Sequence, residues 1–414
     1  MKLGPVHLIR DGTFRKLHAL QDLWTHFSSA LASASRGGNK LADAVLNHAH
    51  GLQHSPLCAT FAPAVLPPNP PAADPAGRAA AERVVAAYRL TTKDAAAPPA
   101  PSMWDRIGAE KRDFLGALEI GNVPAVHAAL ARMFPSDLIS GLGQVHAGHP
   151  ALLRSKTATH LHLTFTDTLI NLAEAVGAAR LTMLTQNTPA HLQPLNRDLD
   201  AVFANAAKTL GFDPSFPDVG CAFGFKVNGK LATIDSLTHA YTAHRLRQLG
   251  CRWGSTVFEI GGGYGCLALM ARRAGVGKYA IFDLPWVNAL QGYFLIRALP
   301  EGTVRLYGES KGDLRILPYW KLSDEPSGVC DGVVNTDSLP EMGRATASAY
   351  LPEIRRVIRN FFLSINQEAK GHVPGVGDQN CVAELVEEVG GFAVSSRQRY
   401  WMRPGYVEEV YKPG

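Results

Sequence analysis

The stretch Val257-Phe258-Glu259-Ile260-Gly261-Gly262-Gly263-Tyr264-Gly265-Cys266 constrains the fold of this chain more than any other. It reads as a buried strand that ends in an acidic residue, turns through glycines and runs into a helix from Leu267 to Ala274. A second apolar run, Tyr279-Ala280-Ile281-Phe282, delivers another carboxylate, Asp283. Glycines let backbone approach a bulky ligand, and a new helix presents unpaired N–H groups in its first turn. A carboxylate closing the next strand is placed to accept hydrogen bonds from a ribose diol. Together these features predict an enzyme that binds a nucleoside cofactor.

The surrounding sequence, from about Cys251 to Gly414, alternates strands and helices in the rhythm of a parallel sheet. Strands are expected at Thr256–Ile260, Tyr279–Asp283, Thr303–Tyr307, Gly332–Asn335, Phe361–Ile365, Ala393–Met402 and Val407–Tyr411. Only the turn Arg403-Pro404-Gly405 separates the last two, so a β-hairpin closes the sheet. The expectation is an α/β, Rossmann-like fold with a seven-stranded sheet, a C-terminal hairpin and a helical N-terminal region. An NAD-binding domain does not end in such a hairpin.

At 414 residues the chain suits a catalytic domain plus an extension. Residues 1–101 read as a variable region. They carry an apolar helical stripe (Leu17, Leu20, Trp24, Phe27) and then an Ala/Pro-rich linker from Pro56 to Pro101, with one helix over Ala79–Leu90. Residues 102–249 are expected to be a helical cap or dimerisation region, opening at Ser102-Met103-Trp104-Asp105 and striped by Phe165, Leu169, Leu172 and Val176. Its last helix, from Asp235-Ser236-Leu237, brings Tyr241, His244 and Arg245 towards the cofactor mouth. Residues 250–414 form the catalytic domain.

Composition narrows the function classes. The +5 formal charge is spread along the chain without a basic block, which argues for no nucleic-acid partner. No run of about eighteen apolar residues is present to span a bilayer, and the start Met1-Lys2-Leu3-Gly4-Pro5 lacks a signal-peptide pattern, so a cytoplasmic enzyme is expected. Cys58, Cys221, Cys251, Cys266, Cys330 and Cys381 are dispersed and read as reduced, buried thiols. The pairs His48/His50 and His160/His162 have no carboxylate or cysteine cluster beside them in sequence and are read as surface or helix-start histidines.

The dinucleotide fingerprint would need a third glycine where Cys266 stands. The pattern present, Glu-x-Gly-x-Gly-x-Gly from Glu259 to Gly265, resembles the first motif of class I S-adenosylmethionine (SAM) methyltransferases. Phe282-Asp283-Leu284-Pro285, Asn335-Thr336-Asp337-Ser338-Leu339-Pro340-Glu341-Met342, Ser364-Ile365-Asn366-Gln367-Glu368 and Tyr400-Trp401-Met402-Arg403-Pro404-Gly405-Tyr406 extend the likeness. With the segments at Ser102-Met103-Trp104 and Ile234-Asp235-Ser236-Leu237, residues 100–414 resemble the bacterial sugar O-methyltransferases. The Phe-Asp-Leu-Pro element is similar to plant-type small-molecule O-methyltransferases as well.

The resemblance implies SAM as cofactor and a saccharide, or related small-molecule, hydroxyl as methyl acceptor. Glu259 would face the methionine portion, Gly261, Gly262, Gly263 and Gly265 would admit the backbone, and Asp283 would take the ribose hydroxyls. Leu284 would pack on the adenine, with Asn335 at the end of the fourth strand beside them. An alcohol acceptor needs a base or a metal. Candidates at the ends of the fourth and fifth strands are Asp337, Glu341 and Glu368, with His372 in the Gly-rich loop Gly371–Gly377. Converging carboxylates could instead hold Mg²⁺. Arg403 and Tyr406 read as closing the fold. A phenolic acceptor, a scaffold protein without catalysis, and a homodimer in which one subunit closes the other's site remain open.

Overall fold

The structure is a computed structural model that describes residues 62–65, 69–70, 73–94, 103–142, 158–180, 198–373 and 377–414. The stripe from Leu17 to Phe27, the His48/His50 pair, Cys58 and Ala95–Pro99 lie outside the described residues. Among the described residues no helix is long and apolar enough to cross a membrane.

Before the sheet, the described residues are mostly helical. They contain β1 (Ala64–Val65), α1 (Pro75–Lys93), α2 (Met103–Ala109), α3 (Arg112–Ile120), α4 (Val123–Leu130), α5 (Ala158–Ala175) and α6 (Leu199–Leu210). A small hairpin, β2 (Gly224–Val227) and β3 (Lys230–Ala232), precedes α7 (Ile234–Gln248). Asp74 caps α1 by accepting from the Gly77 N–H at 2.9 Å, and a proline at the helix start supports the same boundary. The helix expected within the linker is therefore longer than Ala79–Leu90. It is also packed: Ala80, Ala81, Val84 and Val85 are buried, and Arg83 forks onto Glu309 at 2.8 and 2.7 Å. At α7, Thr233 and Ser236 form a reciprocal capping box, each side chain accepting the other's backbone N–H at 3.0 Å.

The C-terminal part is built on one sheet. Its elements are β4 (Thr256–Ile260), α8 (Cys266–Arg273), β5 (Lys278–Asp283), α9 (Pro285–Ala298), β6 (Val304–Arg305), β7 (Leu314–Pro318), β8 (Cys330–Thr336), α10 (Arg344–Val357) and β9 (Ile358–Gln367). A ribbon, β10 (Gly371–Val373) with β11 (Gly377–Gln379), then leads to α11 (Val382–Val389), β12 (Phe392–Arg399) and β13 (Tyr406–Pro413). The sheet order is β12-β13-β9-β8-β4-β5-β7-β6. All pairs from β9 to β6 are parallel, and β13 is antiparallel to both β9 and β12. The sheet is Rossmann-like, parallel from β9 to β6, and closed by the expected C-terminal hairpin.

One strand differs. The run Thr303–Tyr307 supplies only the two-residue edge strand β6, and the third long strand is Leu314–Pro318. Its last residue, Pro318, stands at the strand end, where no ladder donor is needed. Among the described residues the sheet therefore has eight strands rather than seven.

Alternate residues of β4 feed the two faces. Val257 joins the core beneath α7, α8 and α9, whereas Phe258 and Ile260 pack with α10 and α11. Both faces are covered, so β4 reads as a continuous apolar run broken only by Glu259. Burying a side chain such as Phe258 is worth about 1.5–3 kcal/mol. A polar residue in that setting requires a reason.

Candidate active site

β4 ends at Ile260, and the chain must turn sharply to start α8. Gly261, Gly263 and Gly265 take φ of +68°, +54° and +98°, in the left-handed region that glycine enters without steric cost. A Cβ on Gly261 would lie 2.3 Å from Ser338 Oγ, and one on Gly263 would lie 2.8 Å from the Leu142 carbonyl oxygen. The turn is pinned from two sides. The Asp283 carboxylate accepts from Gly262 N–H at 2.9 Å, while Asn335 Nδ2 and Ser338 Oγ both donate to the Ile260 carbonyl at 2.9 Å.

A cavity of about 490 Å³ opens over this turn, at the carboxyl ends of β4, β5 and β8, where ligands bind in open α/β sheets and within the size range of small-molecule sites. Glu259, Gly261, Gly262, Gly263, Asp283 and Leu284 line it. Gly265 and Asn335 do not. Gly265 caps α8 against Leu295 and Gln291, and Asn335 is fully buried under the turn. Of the eight residues expected to bind a cofactor, these two shape the turn from behind.

The carboxylates in the wall are electrostatically unusual. Burial pushes the Glu259 carboxyl up to about 8, against the Tyr279 hydroxyl that donates to it at 2.9 Å. Asp283 is pushed up to about 7 by burial, opposed by donors from Leu284 N–H, Gln291 Nε2 and Gly262 N–H. Gln291 also donates to the Gly263 carbonyl at 2.9 Å, and its own Oε1 accepts from Asn288 Nδ2 at 2.9 Å. This relay holds the strand end and the glycine turn as one unit.

The candidates for catalysis separate into two groups. Asp337 and Glu341 line the cavity. Asp337 takes φ of +64°, held by N–H bonds to the Ile365 carbonyl and Asn366 Oδ1, and its Oδ2 accepts from Arg403 Nη1 at 2.7 Å. Burial and the neighbouring Asp337 charge push Glu341 up to about 8, with Arg403 opposing. Glu368 instead takes a two-pronged bond from Arg397 at 2.8 Å, and His372 sits exposed on β10, its Nδ1 3.0 Å from Asp378 Oδ1. Neither Glu368 nor His372 reaches the cavity wall. Glu368 is the first residue past the end of β9, and His372 lies on ribbon strand β10.

Several wall residues were not foreseen. Arg403 and Tyr406, read as fold closure, line the cavity, the guanidinium 4.2 Å above the Tyr406 ring. On α7 the wall residues are Asp235, Thr238 and His239. Tyr241 and Arg245, expected there, instead bond Glu408 of β13 at 3.0 and 2.7 Å. Trp104, Tyr319, Tyr350 and Tyr400 add aromatic surface. Its place just before β4 marked α7 as facing the mouth, but not which turn of it does.

The side chains do not fit a Mg²⁺ site. Among the described residues no group of three His, Cys, Asp or Glu could hold a metal ion, and Arg403 already brings a positive charge onto Asp337. They do fit a cationic nucleoside. The turn leaves no room for a Cβ at Gly261 or Gly263, a carboxylate closes β5, and buried carboxyls face the cavity.

No protein-family model matches the chain, and no curated protein does. Solved structures resemble part of the chain. They include the 1,6-didemethyltoxoflavin-N1-methyltransferase of Burkholderia thailandensis (17% identity, over 42% of this chain and 76% of that one, TM-score 0.30). A SAM-dependent methyltransferase of Aquifex aeolicus aligns at 17% identity over 43% and 95%, TM-score 0.31. A ribosomal protein L11 methylase of Lactobacillus delbrueckii subsp. bulgaricus aligns at 13% over 42% and 76%, TM-score 0.29. Likenesses at these scores carry no weight for reaction or acceptor.

Proposed function

We propose that this chain is a SAM-dependent O-methyltransferase acting on a hydroxyl of a saccharide or related polyol. The observation that carries the reading is the glycine turn and Asp283 facing one cavity at the mouth of a hairpin-closed parallel sheet. Bound SAM would supply an activated methyl carbon, with the sulfur as a neutral thioether leaving group for the acceptor oxygen. Asp283 would receive the ribose hydroxyls, the backbone of Gly261–Gly263 would admit the ligand, and Glu259 would face the methionine portion. Leu284 would pack on the adenine.

On the acceptor side, Glu341 takes the hydroxyl proton. A base is most effective when its pKa lies near the working pH, and Glu341, at about 8, meets that condition. Asp337 is held by Arg403 and orients the acceptor. Alignment of the two reactants contributes about 7–11 kcal/mol, and a positioned base about 10²–10⁴-fold. The aromatic residues Trp104, Tyr319, Tyr350, Tyr400 and Tyr406 in the wall also suit a flat phenolic acceptor, and this is the second reading. Both place a small molecule in the cavity, with residues 102–249 as its cap and as the contact surface of a homodimer.

The test is calorimetry of the purified chain with SAM and S-adenosylhomocysteine (SAH), followed by mass spectrometry of methyl glycosides and simple phenols incubated with SAM. Micromolar binding and a methyl mass gain on a glycoside support the first reading, and gain on phenols alone the second. Absence of SAM and SAH binding rejects both and favours a scaffold.

A further inference from the structure

The helix before the sheet places two polar side chains in the cavity that the reading above leaves without a task. Asp235 and His239 are four residues apart on α7 and so share one face. Asp235 is buried in the wall, and its Oδ2 accepts from the Tyr264 hydroxyl at 2.9 Å. Tyr264 belongs to the glycine turn, so α7 is fastened to the turn that Asp283 fastens from the β5 side.

The sheet order fixes which end of a ligand α7 meets. β5, with Asp283, lies on one side of β4, and β8, β9 and β13 lie on the other. α7 is tied to that other side, through Tyr241 and Arg245 to Glu408 on β13 and through Thr242 Oγ1, 3.2 Å from the Tyr400 hydroxyl. A nucleoside whose ribose rests on Asp283 and which crosses the glycine turn therefore ends against α7. The His239 ring is neutral, because burial lowers its pKa more than Asp235 raises it. Its Nδ1 is buried with no hydrogen-bond partner, and the residue itself lines the cavity, so a ring N–H is available to a ligand there.

We infer that Asp235 and His239 form the subsite for the amino-acid end of the sulfonium nucleoside, the ammonium on the Asp235 carboxylate and the carboxylate on a His239 ring N–H. This rests on the cofactor reading above. It adds a specificity for the whole amino-acid-bearing nucleoside over one cut short at sulfur.

The test compares SAH with 5′-methylthioadenosine, which keeps the nucleoside and sulfur and lacks the amino-acid end, by calorimetry on the full chain. Asp235→Asn should weaken SAH about ten- to hundredfold, the range for a lost charged hydrogen bond, and leave 5′-methylthioadenosine within about twofold. His239→Gln should show the same selectivity, and it stands in if Asp235→Asn loses its thermal transition. Asp283→Ala should weaken both ligands alike. Equal losses for the two ligands, or no loss for SAH, in the α7 variants would overturn the subsite. A wild-type chain that binds neither ligand would overturn the cofactor reading and the subsite with it, whereas intact SAH binding with silent α7 variants would overturn the subsite alone.

Discussion

Replacing Asp283 by alanine tests the cofactor assignment most directly. Its carboxylate accepts three protein hydrogen bonds, from Gly262 N–H at 2.9 Å, Leu284 N–H at 2.8 Å and Gln291 Nε2 at 2.8 Å, and it still faces the cavity. A ribose hydroxyl donating to it would make a charged hydrogen bond worth about 1.5–3 kcal/mol. At about 1.4 kcal/mol per decade, Asp283→Ala weakens SAH binding about ten- to hundredfold. The same change leaves the three donors without their acceptor, costing about 1–3 kcal/mol of stability in total, since the open cavity lets water replace part of the loss. pH supplies an independent signature. With the ligand-free carboxyl at about 7, a ligand that requires the anion must first displace a proton at low pH. This group alone therefore raises SAH affinity about tenfold from pH 6 to pH 8, levelling above, and Asp283→Ala removes that component. Calorimetry at pH 6, 7 and 8, with thermal melts to verify folding, reads both effects. A folded Asp283→Ala protein that binds SAH within about twofold of wild type would refute the reasoning.

Other outcomes follow from the same geometry. Gly261→Ala should destabilise the protein by at least about 1–2 kcal/mol, because its φ of +68° strains any Cβ and Ser338 Oγ lies 2.3 Å from where one would stand; a urea midpoint equal to wild type would contradict the turn as described. Glu341 binds its proton more tightly folded, at about 8, than unfolded, at 4.5. Its contribution is therefore fully present below about pH 4.5 and is lost as pH rises to about 8, so Glu341→Gln should gain stability relative to wild type between pH 5 and pH 9 in urea titrations. Once an acceptor is found, the same variant should lower methyl transfer about 10²–10⁴-fold with SAH affinity nearly unchanged, and full turnover would remove Glu341 as base. Glu368→Gln and His372→Gln should leave SAH affinity as it is and move stability by less than about 1 kcal/mol, as expected of the exposed pairs they form with Arg397 and Asp378. A large loss of SAH binding in either would place the surface ribbon in the site.

The sequence was legible where chemistry is local. The acidic strand end, the glycines with positive φ and the carboxylate closing the next strand are consequences of backbone geometry within thirty residues, and Gly261, Gly263, Glu259 and Asp283 stand where that geometry puts them. The hairpin was equally readable, because two strand-like runs with only a short turn between them leave no room for a helix. Strand three was not, since Leu314-Arg315-Ile316-Leu317-Pro318 is short and ends in the residue that argues against a strand. Tertiary structure alone decided which carboxylates meet. Asp337 and Glu341 stay at the sheet's mouth because Asp337 is pinned to β9 and Arg403, while Glu368, just past the end of β9, pairs with Arg397. It also decided which turn of α7 faces the cavity. Tyr241 and Arg245 are drawn to Glu408 on β13, a partner more than 160 residues away, and this rotates Asp235 and His239 inward. A contact so distant in sequence leaves no local pattern, whereas a turn through positive φ must be written in glycine where it occurs.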